Sequence, residues 1–286
     1  MAMSSFPENP SVLDQAERTL MGSDSAVSTS FLEAIDMVQS LIDSMSLEAH
    51  DHRNQCTLND SHSVMQLAMY RMEEEFRNLL EQNSGSVDPE WLFDPVANPS
   101  FGSISEGNSS HFAPPSEDYG EGEEEVATSH SISNMKMHVD MLPLEIVSDL
   151  SEIASRMINS GYKTECCHAY IQVRKQTLEE SLFRLGIEKF SIEDVQKLQW
   201  KSLEAEIVKW INAVKVSVGV LFPSEKKLCE QIYYSDLSSV AEWCFAELAK
   251  GSMIQLLNFA EAVAICRRSP EKLPRILDMY EELRDI

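Results

Sequence analysis

Four residues near the N-terminus, His50, His52, Cys56 and His62, are of the types that bind transition metals. Imidazole and thiolate are the usual zinc ligands, but structural zinc sites use tightly paired spacings on a defined scaffold. Here the residues fall in or beside a polar stretch, 48–60, that predicts a loop and offers no second ligand pair. We therefore interpret them as part of a solvated loop and predict no metal site.

The adjacent residues Cys166, Cys167 and His168 combine a thiol with a base, the two groups that a cysteine nucleophile requires. Neighbouring side chains on a helix point about 100° apart, so these residues do not form a catalytic dyad. We predict a packed Cys167 and an ordinary His168.

Charged residues cluster without forming a site. The acidic run Glu121–Glu125 is not paired across a pocket, so it predicts a solvated charge block and not acid–base catalysis. The basic pairs Lys226-Lys227 and Arg267-Arg268 are sparse, whereas lipid-binding clusters hold roughly 4–8 basic residues. The sequence thus predicts no catalytic, cofactor-binding or metal-binding residue, and no enzymatic activity.

The formal net charge of −24 is concentrated in the first half of the chain. Residues 1–139 hold 24 acidic and 5 basic residues, whereas residues 140–286 hold 23 and 18. The field of the first half repels nucleic acid and anionic lipid, so we predict neither as its direct ligand. The second half is nearly balanced, which is typical of a packed helical surface.

The six cysteines fit no disulfide framework and mostly fall within apolar-periodic segments. This pattern predicts reduced, mostly buried thiols in the cytosol. No apolar run approaches the roughly 18 residues of a membrane span. Residues 1–11 lack the basic and apolar regions of a secretory signal.

Residues 1–83 are predicted to hold a polar tail and two amphipathic helices. Residues 1–29 are Ser-rich and predicted to be poorly ordered, whereas Phe31–Leu47 has apolar residues at helical spacing. Ser63 and Gln66 form a capping-box pattern that opens the second helix. The stripe of this helix contains Val64, Leu67, Ala68, Met72, Phe76, Leu79 and Leu80. We predict an antiparallel pair that buries little by itself and needs a partner or packs elsewhere.

Residues 84–139 and residues 140–286 differ sharply in pattern. The first stretch combines Gly, Ser, Asn and Pro with acidic residues and shows no period, which predicts a disordered acidic linker. The second is dense in helix signals with short connections, which predicts six or so consecutive helices. Strand-like alternation does not occur, so the predicted fold class is all-α.

Several helix boundaries in residues 140–286 follow from capping signals. Pro143 suits the first turn of a helix, and Gly161 suits the position after its end. Ser191 with Asp194 forms a capping box that opens a helix of roughly 28 residues, with Leu203 and Trp210 on its buried side. Further helix starts are predicted at Pro223, Ser239, Ser252 and Pro270, and a helix end at Gly251.

The last stripe of apolar residues runs to the end of the sequence without a stop signal. It contains Leu273, Ile276, Leu277, Tyr280 and Leu283. A helix that reaches Ile286 uncapped predicts that the sequence is a fragment or a truncated isoform.

Long phrases of the sequence carry a resemblance to a known family. They include LPLEIVSDL at 142–150, GYKTECCHAYIQVRK at 161–175, LGIEKFSIEDVQKLQW at 185–200, LEAEIVKWINAVK at 203–215, QLLNFAEAVAICRRSPEKL at 255–273 and ILDMYEELRD at 276–285. Two earlier phrases are VMQLAMYRMEEEFRNLL at 64–80 and VDPEWLF at 87–93. Together these resemble the plant-type seventy-kilodalton exocyst subunit family. Pro274 departs from the family pattern, in which an aromatic residue usually stands there.

The resemblance implies an elongated stack of helical bundles or hairpins and a non-catalytic subunit of the exocyst, the complex that tethers secretory vesicles to the plasma membrane in exocytosis. It implies other exocyst subunits and small GTPases as partners, and no cofactor. Phosphoinositide contact is expected only from the family's C-terminal part, beyond this sequence. The implied location is cytoplasmic, peripheral to the plasma membrane or vesicles through the complex. The alternative is a generic helical scaffold or adaptor protein without an exocytic role.

Overall fold

All regular secondary structure that the structure describes is helical, as the sequence predicts. The computed structural model describes residues 9–22, 28–47, 52–85, 139–266 and 270–284, and no strand occurs in those ranges. The α-helices are α1 (Asn9–Leu20), α2 (Thr29–Leu47), α3 (His52–Asn83), α4 (Leu144–Asn159), α5 (Lys163–Arg184), α6 (Ile192–Lys197), α7 (Trp200–Val216), α8 (Phe222–Ile232), α9 (Ser238–Ile265) and α10 (Leu273–Arg284). Shorter segments are a π-helical turn at Ser217–Leu221 and 3₁₀ turns at Ser235–Leu237 and Pro270–Lys272.

The chain forms two compact units. The first comprises the described residues of Met1–Ser84, Leu142–Arg174 and Leu228–Phe245, and the second comprises those of Gly85–Met141, Lys175–Lys227 and Ala246–Ile286. Helices α5, α8 and α9 each contribute residues to both units. The first unit includes α1–α3 and α4, which lie on either side of the predicted linker at residues 84–139. Nearly all of that predicted linker, residues 86–138, lies outside the described residues.

Helix α1 shows that the prediction of poor order in residues 1–29 is wrong for Asn9–Leu20. Its residues Leu13, Ala16 and Leu20 are buried on one face, at spacings of three and four. The Arg71 guanidinium of α3 donates hydrogen bonds to the backbone carbonyls of Leu20 and Gly22. Packing against α2 and α3 therefore stabilises this short helix. Its apolar positions were not recognised in the sequence because most of its residues are polar.

Helix α3 begins at His52, so the predicted loop is wrong for residues 52–60 and Ser63 is not an N-cap. The Ser63 hydroxyl donates to the backbone carbonyl of Asn59 at 3.0 Å. A serine inside a helix can bond the carbonyl four residues earlier, so Ser-x-x-Gln alone does not mark a helix start. Residues 48–51 lie outside the described residues.

The apolar stripe of α3 is buried within the first unit. Its buried residues are Met65, Ala68, Met69, Met72, Phe76 and Leu80, whereas Leu67 of the predicted stripe is exposed. Helix α3 packs against α1, α2 and α4. The packing surface that α2 and α3 were predicted to need is thus supplied by this chain.

Helices α4 and α5 end on glycines in the left-handed region. Gly161 has φ of 91° and Gly186 has φ of 84°, values that disfavour other residues. In both cases the glycine N–H and the next N–H bond carbonyls of the last turn, which is a Schellman arrangement. The predicted end of α4 at Gly161 is confirmed, and α4 starts directly after Pro143.

The predicted long helix from Ser191 is wrong, because it breaks into α6 and α7. The Ser191–Asp194 capping box is present, with Ser191 Oγ accepting from the Asp194 N–H at 3.1 Å. Leu198 and Gln199 then adopt extended backbone with ψ of 137° and 150°. Neither Gly nor Pro occurs at the break, so tertiary packing and not local propensity decides it. The ring of Trp200, which begins α7, has its centroid 5.6 Å from the Lys272 ammonium.

Helix α8 begins at Phe222, one residue before the start predicted at Pro223, and the π-helical turn joins it directly to α7. Pro223 lacks an N–H and cannot bond the carbonyl of Gly219. The N–H of Phe222 bonds the Ser217 carbonyl five residues earlier, and the wider turn accommodates the proline.

Helix α9 runs unbroken through Gly251, so the predicted end there and the start at Ser252 are wrong. A Cβ on Gly251 would meet Lys175 Cε at 3.4 Å, an ordinary van der Waals distance, so neither a cap nor a lack of space requires glycine at this position. Helix α10 begins at Leu273, which places Pro274 in the first turn, where proline is tolerated.

Candidate interaction surface

Three of the four histidine and cysteine residues considered above as metal ligands lie on α3. Cys56 and His62 are exposed on α3, His52 lies at the start of the same helix, and His50 lies outside the described residues. Across the described ranges, no three His, Cys, Asp or Glu side chains come together in a way that could hold a metal ion.

The Cys166-Cys167-His168 group separates as predicted for adjacent residues on a helix. Cys166 and Cys167 are buried, whereas His168 is exposed. Burial raises the pKa of the Cys166 thiol to about 12, although a hydrogen bond with the Tyr233 hydroxyl acts in the opposite direction. Cys166 is therefore a protonated thiol at neutral pH and not a nucleophile.

The basic pair Lys226-Lys227 does not form an isolated charge patch. The Lys227 ammonium lies 2.8 Å from the Asp140 carboxylate, and this hydrogen-bonded contact lowers the pKa of Asp140. Part of the pair's charge is therefore neutralised within the chain. Arg267, Arg268 and the acidic run Glu121–Glu125 lie outside the described residues.

The predicted apolar stripe of α10 divides into a buried and an exposed face. Met279 is buried, and Ile276 and Leu283 are half-buried. Helix α10 packs against α7, so these three residues form its inner side. This register differs from the predicted stripe, which omitted Met279.

Ion pairs to α7 fix the rotation of α10 about its axis. Arg275 donates to Glu204 at 3.1 Å, and Lys215 lies 3.2 Å from Glu282. The hydrogen bond with Glu204 raises the pKa of the Arg275 guanidinium, which stays charged. Each pair is partly exposed and contributes at most about 1 kcal/mol, so the pairs orient the helix more than they stabilise it.

The outer side of α10 carries three large apolar side chains, Leu273, Leu277 and Tyr280, here named the α10 face. Their exposed fractions are 56%, 51% and 63%. Spacings of four and three place them in one row roughly 10 Å long. Such a row is the pattern by which an amphipathic helix packs into a groove or against another helix. The α10 face is therefore an apolar contact surface held in a fixed orientation.

The second half of α9 carries further exposed apolar residues. Ile254, Leu257 and Ile265 are exposed, while Leu256 and Phe259 are buried. A helix with apolar residues on more than one side usually packs against a neighbour on each of those sides. Exposed apolar surface of this kind marks protein contact sites in soluble proteins.

Comparison with known proteins assigns the chain to a family. Residues 11–82 match the family model described as Exocyst complex component Exo70 N-terminal. Residues 208–286 match the family model for the C-terminal part of the Exo70 exocyst complex subunit. Exocyst complex component EXO70B1 of Arabidopsis thaliana is 38% identical over 265 residues, which cover 92% of this chain and 41% of that relative. The chain belongs to the Exo70 family.

Two other Exo70 proteins of Arabidopsis thaliana align along nearly all of this chain. EXO70A1 is 34% identical over 275 residues, covering 96% of this chain and 41% of the relative. EXO70C1 is 34% identical over 288 residues, covering 100% of this chain and 42% of the relative. This Exo70 chain thus spans less than half the length of the curated relatives that it matches.

The two Exo70 matches fall on distinct parts of the structure. The N-terminal match covers nearly all of α1–α3, and the C-terminal match begins within α7 and includes the α10 face. Among the described Exo70 helices, none has the length and apolarity needed to traverse a bilayer.

Sequence reasoning missed Arg174, a fully buried cation on α5. Its guanidinium donates at 2.7 Å to the hydroxyl of Ser84, which follows the last residue of α3. The one available signal was a single arginine in the mostly apolar phrase YIQVR at 170–174. Arg174 therefore anchors the end of α3 to α5.

Proposed function

We propose that this chain is an exocyst subunit that takes part in vesicle tethering during exocytosis through helix–helix contacts with other exocyst subunits. The observation that carries the proposal is the pair of Exo70 matches, at residues 11–82 and 208–286, on a chain whose described residues are helical. The activity is assembly and includes no catalytic step.

The α10 face is the surface proposed to bind another exocyst subunit. Its three apolar residues are exposed while the ion pairs to α7 hold the opposite side. The α3 stripe is not retained as a surface for another chain, because α1, α2 and α4 already cover it. An apolar row on a rigid helix loses little conformational freedom on binding, which favours affinity.

We also propose that this chain by itself does not hold a phosphoinositide membrane. The net charge is −24, whereas each basic residue near an anionic bilayer contributes only about 1 kcal/mol of attraction. Phosphoinositide contact is thus proposed for the C-terminal part of longer family members, whereas small GTPases are proposed as further partners of this chain. The chain would reach the plasma membrane or vesicles from the cytoplasm through the complex.

The proposed contact is tested by co-precipitation of recombinant exocyst subunits with the tagged full chain. The double variant Leu277→Glu, Tyr280→Glu should reduce recovery at least about tenfold, because an unpaired carboxylate buried at a contact costs well over 1 kcal/mol. Leu144→Glu on α4 is the matched control, since Leu144 is also an exposed apolar residue of a helix. Its recovery should equal that of the unmodified chain.

The possible results distinguish a wrong contact surface from a wrong exocyst role. Recovery that is unchanged in the double variant would refute the α10 face as the contact. Failure of the unmodified chain to recover any exocyst subunit would refute the exocyst role. For the membrane proposal, the chain should not float with phosphoinositide-containing vesicles at low salt, and salt-sensitive flotation would contradict it.

A further inference from the structure

An open pocket of about 270 Å³ lies in the second unit, between α5, the connection that follows it, and the second half of α9. The Phe190 and Phe259 rings form an apolar wall, with centroids 5.9 Å apart. Ile254, which is 48% exposed, also lines the pocket. Sites for small molecules usually measure about 300–1,000 Å³. The size of this pocket therefore suits one large side chain.

Polar side chains lie beside the aromatic wall. The amides of Gln255 and Asn258 are one turn apart on α9 and offer both donors and acceptors. Glu179 and Lys189 also line the pocket, and their charges are paired at 3.2 Å. An indole combines an apolar ring with one N–H, which needs an acceptor when it is buried. The pocket therefore has the chemistry to hold a tryptophan side chain.

The sequence contains a matching segment within residues 86–138, which lie outside the described ranges. Trp91, Leu92 and Phe93 are the one run of three consecutive large apolar residues in that stretch. The rest of the stretch is mostly polar and acidic. Segment 91–93 is therefore the part that gains most from removing apolar surface from water.

The point at which the described chain stops before this segment is within reach of the pocket. Gly85 belongs to the second unit, as the pocket does. The preceding Ser84 hydroxyl accepts a hydrogen bond from the Arg174 guanidinium of α5 at 2.7 Å. Glu179, at the pocket, lies further along α5 by a rise of about 7.5 Å. The residues from Gly85 to Trp91 span up to about 20 Å, which exceeds that rise even when the width of a helix, about 10 Å, is added.

We propose that segment 91–93 of this chain docks in the pocket. The Trp91 ring packs against Phe190 and Phe259. Its N–H donates to the side-chain amide oxygen of Asn258. A short tether gives the segment an effective concentration on the order of millimolar. Even a weak contact is therefore well occupied within one chain.

Charge makes a smaller contribution to this docking than apolar contact does. Three acidic residues flank the segment: Asp88, Glu90 and Asp94. Lys175 attracts them, since its Nζ would lie 3.8 Å from a Cβ on Gly251, which lines the pocket. Glu188, another lining residue, repels them. Exposed ion pairs are weak and these effects oppose each other, so docking should depend little on salt.

The test uses the full chain labelled with fluorotryptophan and followed by fluorine NMR, which gives a resonance for each of the 4 tryptophans. Trp91→Phe identifies the Trp91 resonance by its loss. The shift of each resonance between H₂O and D₂O reports solvent exposure. Trp210 is 1% exposed and Trp243 is 51% exposed, so they supply the buried and exposed references. The Trp91 resonance should behave like that of Trp210 and should differ from its own position in urea.

Ile254→Glu should lower the ratio of docked to free Trp91 at least about tenfold, because a carboxylate at the contact loses water without gaining a partner. Ile265→Glu is the matched control. Ile265 is 53% exposed on the same helix, about three turns from Ile254, and does not line the pocket. This control should leave the Trp91 resonance unchanged. Unchanged resonances of Trp210 and Trp243 show that both variants stay folded.

A Trp91 resonance that stays at its urea position in the unmodified chain would overturn the proposal. So would a docked resonance that Ile254→Glu leaves unchanged, because another surface would then hold the ring. A docked signal that weakens on dilution would identify a second copy of the chain as the source of the segment, and would refute docking within one chain. Loss of the docked signal in salt would count against the aromatic wall as the selecting feature.

Discussion

Trp210 offers the sharpest test of the packing in the second unit. Its side chain is 1% exposed, and its ring stacks on Phe259 with centroids 6.3 Å apart. The indole N–H donates to the backbone carbonyl of Leu256 at 2.9 Å. One side chain of α7 thus contributes apolar burial, ring stacking and a hydrogen bond to α9.

Trp210→Ala should lower the free energy of unfolding by about 3–5 kcal/mol, the range for truncating a fully buried aromatic residue. Trp210→Phe keeps an aromatic ring but removes the N–H, which contributes about 1 kcal/mol, and part of the buried area. The Phe variant should therefore lie between the unmodified chain and the Ala variant. Urea unfolding, monitored by circular dichroism at 222 nm, gives the free energy of unfolding of each of the three chains and therefore their order.

Trp243→Ala is the matched control, because Trp243 is 51% exposed on α9. Its effect should stay within about 0.5 kcal/mol, as for other surface substitutions. Since the chain has two units, hydrogen exchange on peptides from 200–216 should localise the loss to α7. A loss below about 0.5 kcal/mol in Trp210→Ala would refute the buried placement of this side chain.

Two further predictions concern single polar groups. The Ser252 hydroxyl is buried and has no hydrogen-bond partner among the described residues, so Ser252→Ala should stabilise the fold by about 1 kcal/mol in urea unfolding. A destabilisation of that size would show that the hydroxyl is bonded. Hydrogen bonds from the Ser191 side chain and backbone lower the pKa of Asp194 below its unfolded value. Asp194 therefore stabilises α6 above the unfolded pKa, and this contribution disappears as the pH falls through the folded pKa. Asp194→Ala should increase amide exchange in residues 192–197 at pH 7 but not in acid, and an equal effect at both pH values would contradict this assignment.

The helical class and much of the core face could be predicted from the sequence. Leu203 and Trp210 fall on the buried side of α7 as their spacing indicates, and Gly161 ends α4. These features depend on residues a few positions apart, because a helix brings neighbours three and four apart to one face. A left-handed residue after a helix is likewise a local requirement that glycine meets.

The family could also be read from the sequence, since it depends on long matching phrases. The exposed face of α10 could not be predicted to the same extent. The predicted stripe of α10 contained both faces of the helix, and only contact with α7 separated Met279 on the inside from Leu277 and Tyr280 on the outside. Periodicity defines an apolar arc, but the neighbouring helix decides which part of that arc is covered.

Tertiary structure alone decided the features that join distant parts of the chain. The break at Leu198 and Gln199 carries no glycine or proline, whereas Gly251 lies inside α9 without ending it. Helix α1 forms against α2 and α3 in spite of its polar composition. Local propensities differ by only about 1 kcal/mol per residue, so packing between distant segments overrides them wherever the two disagree.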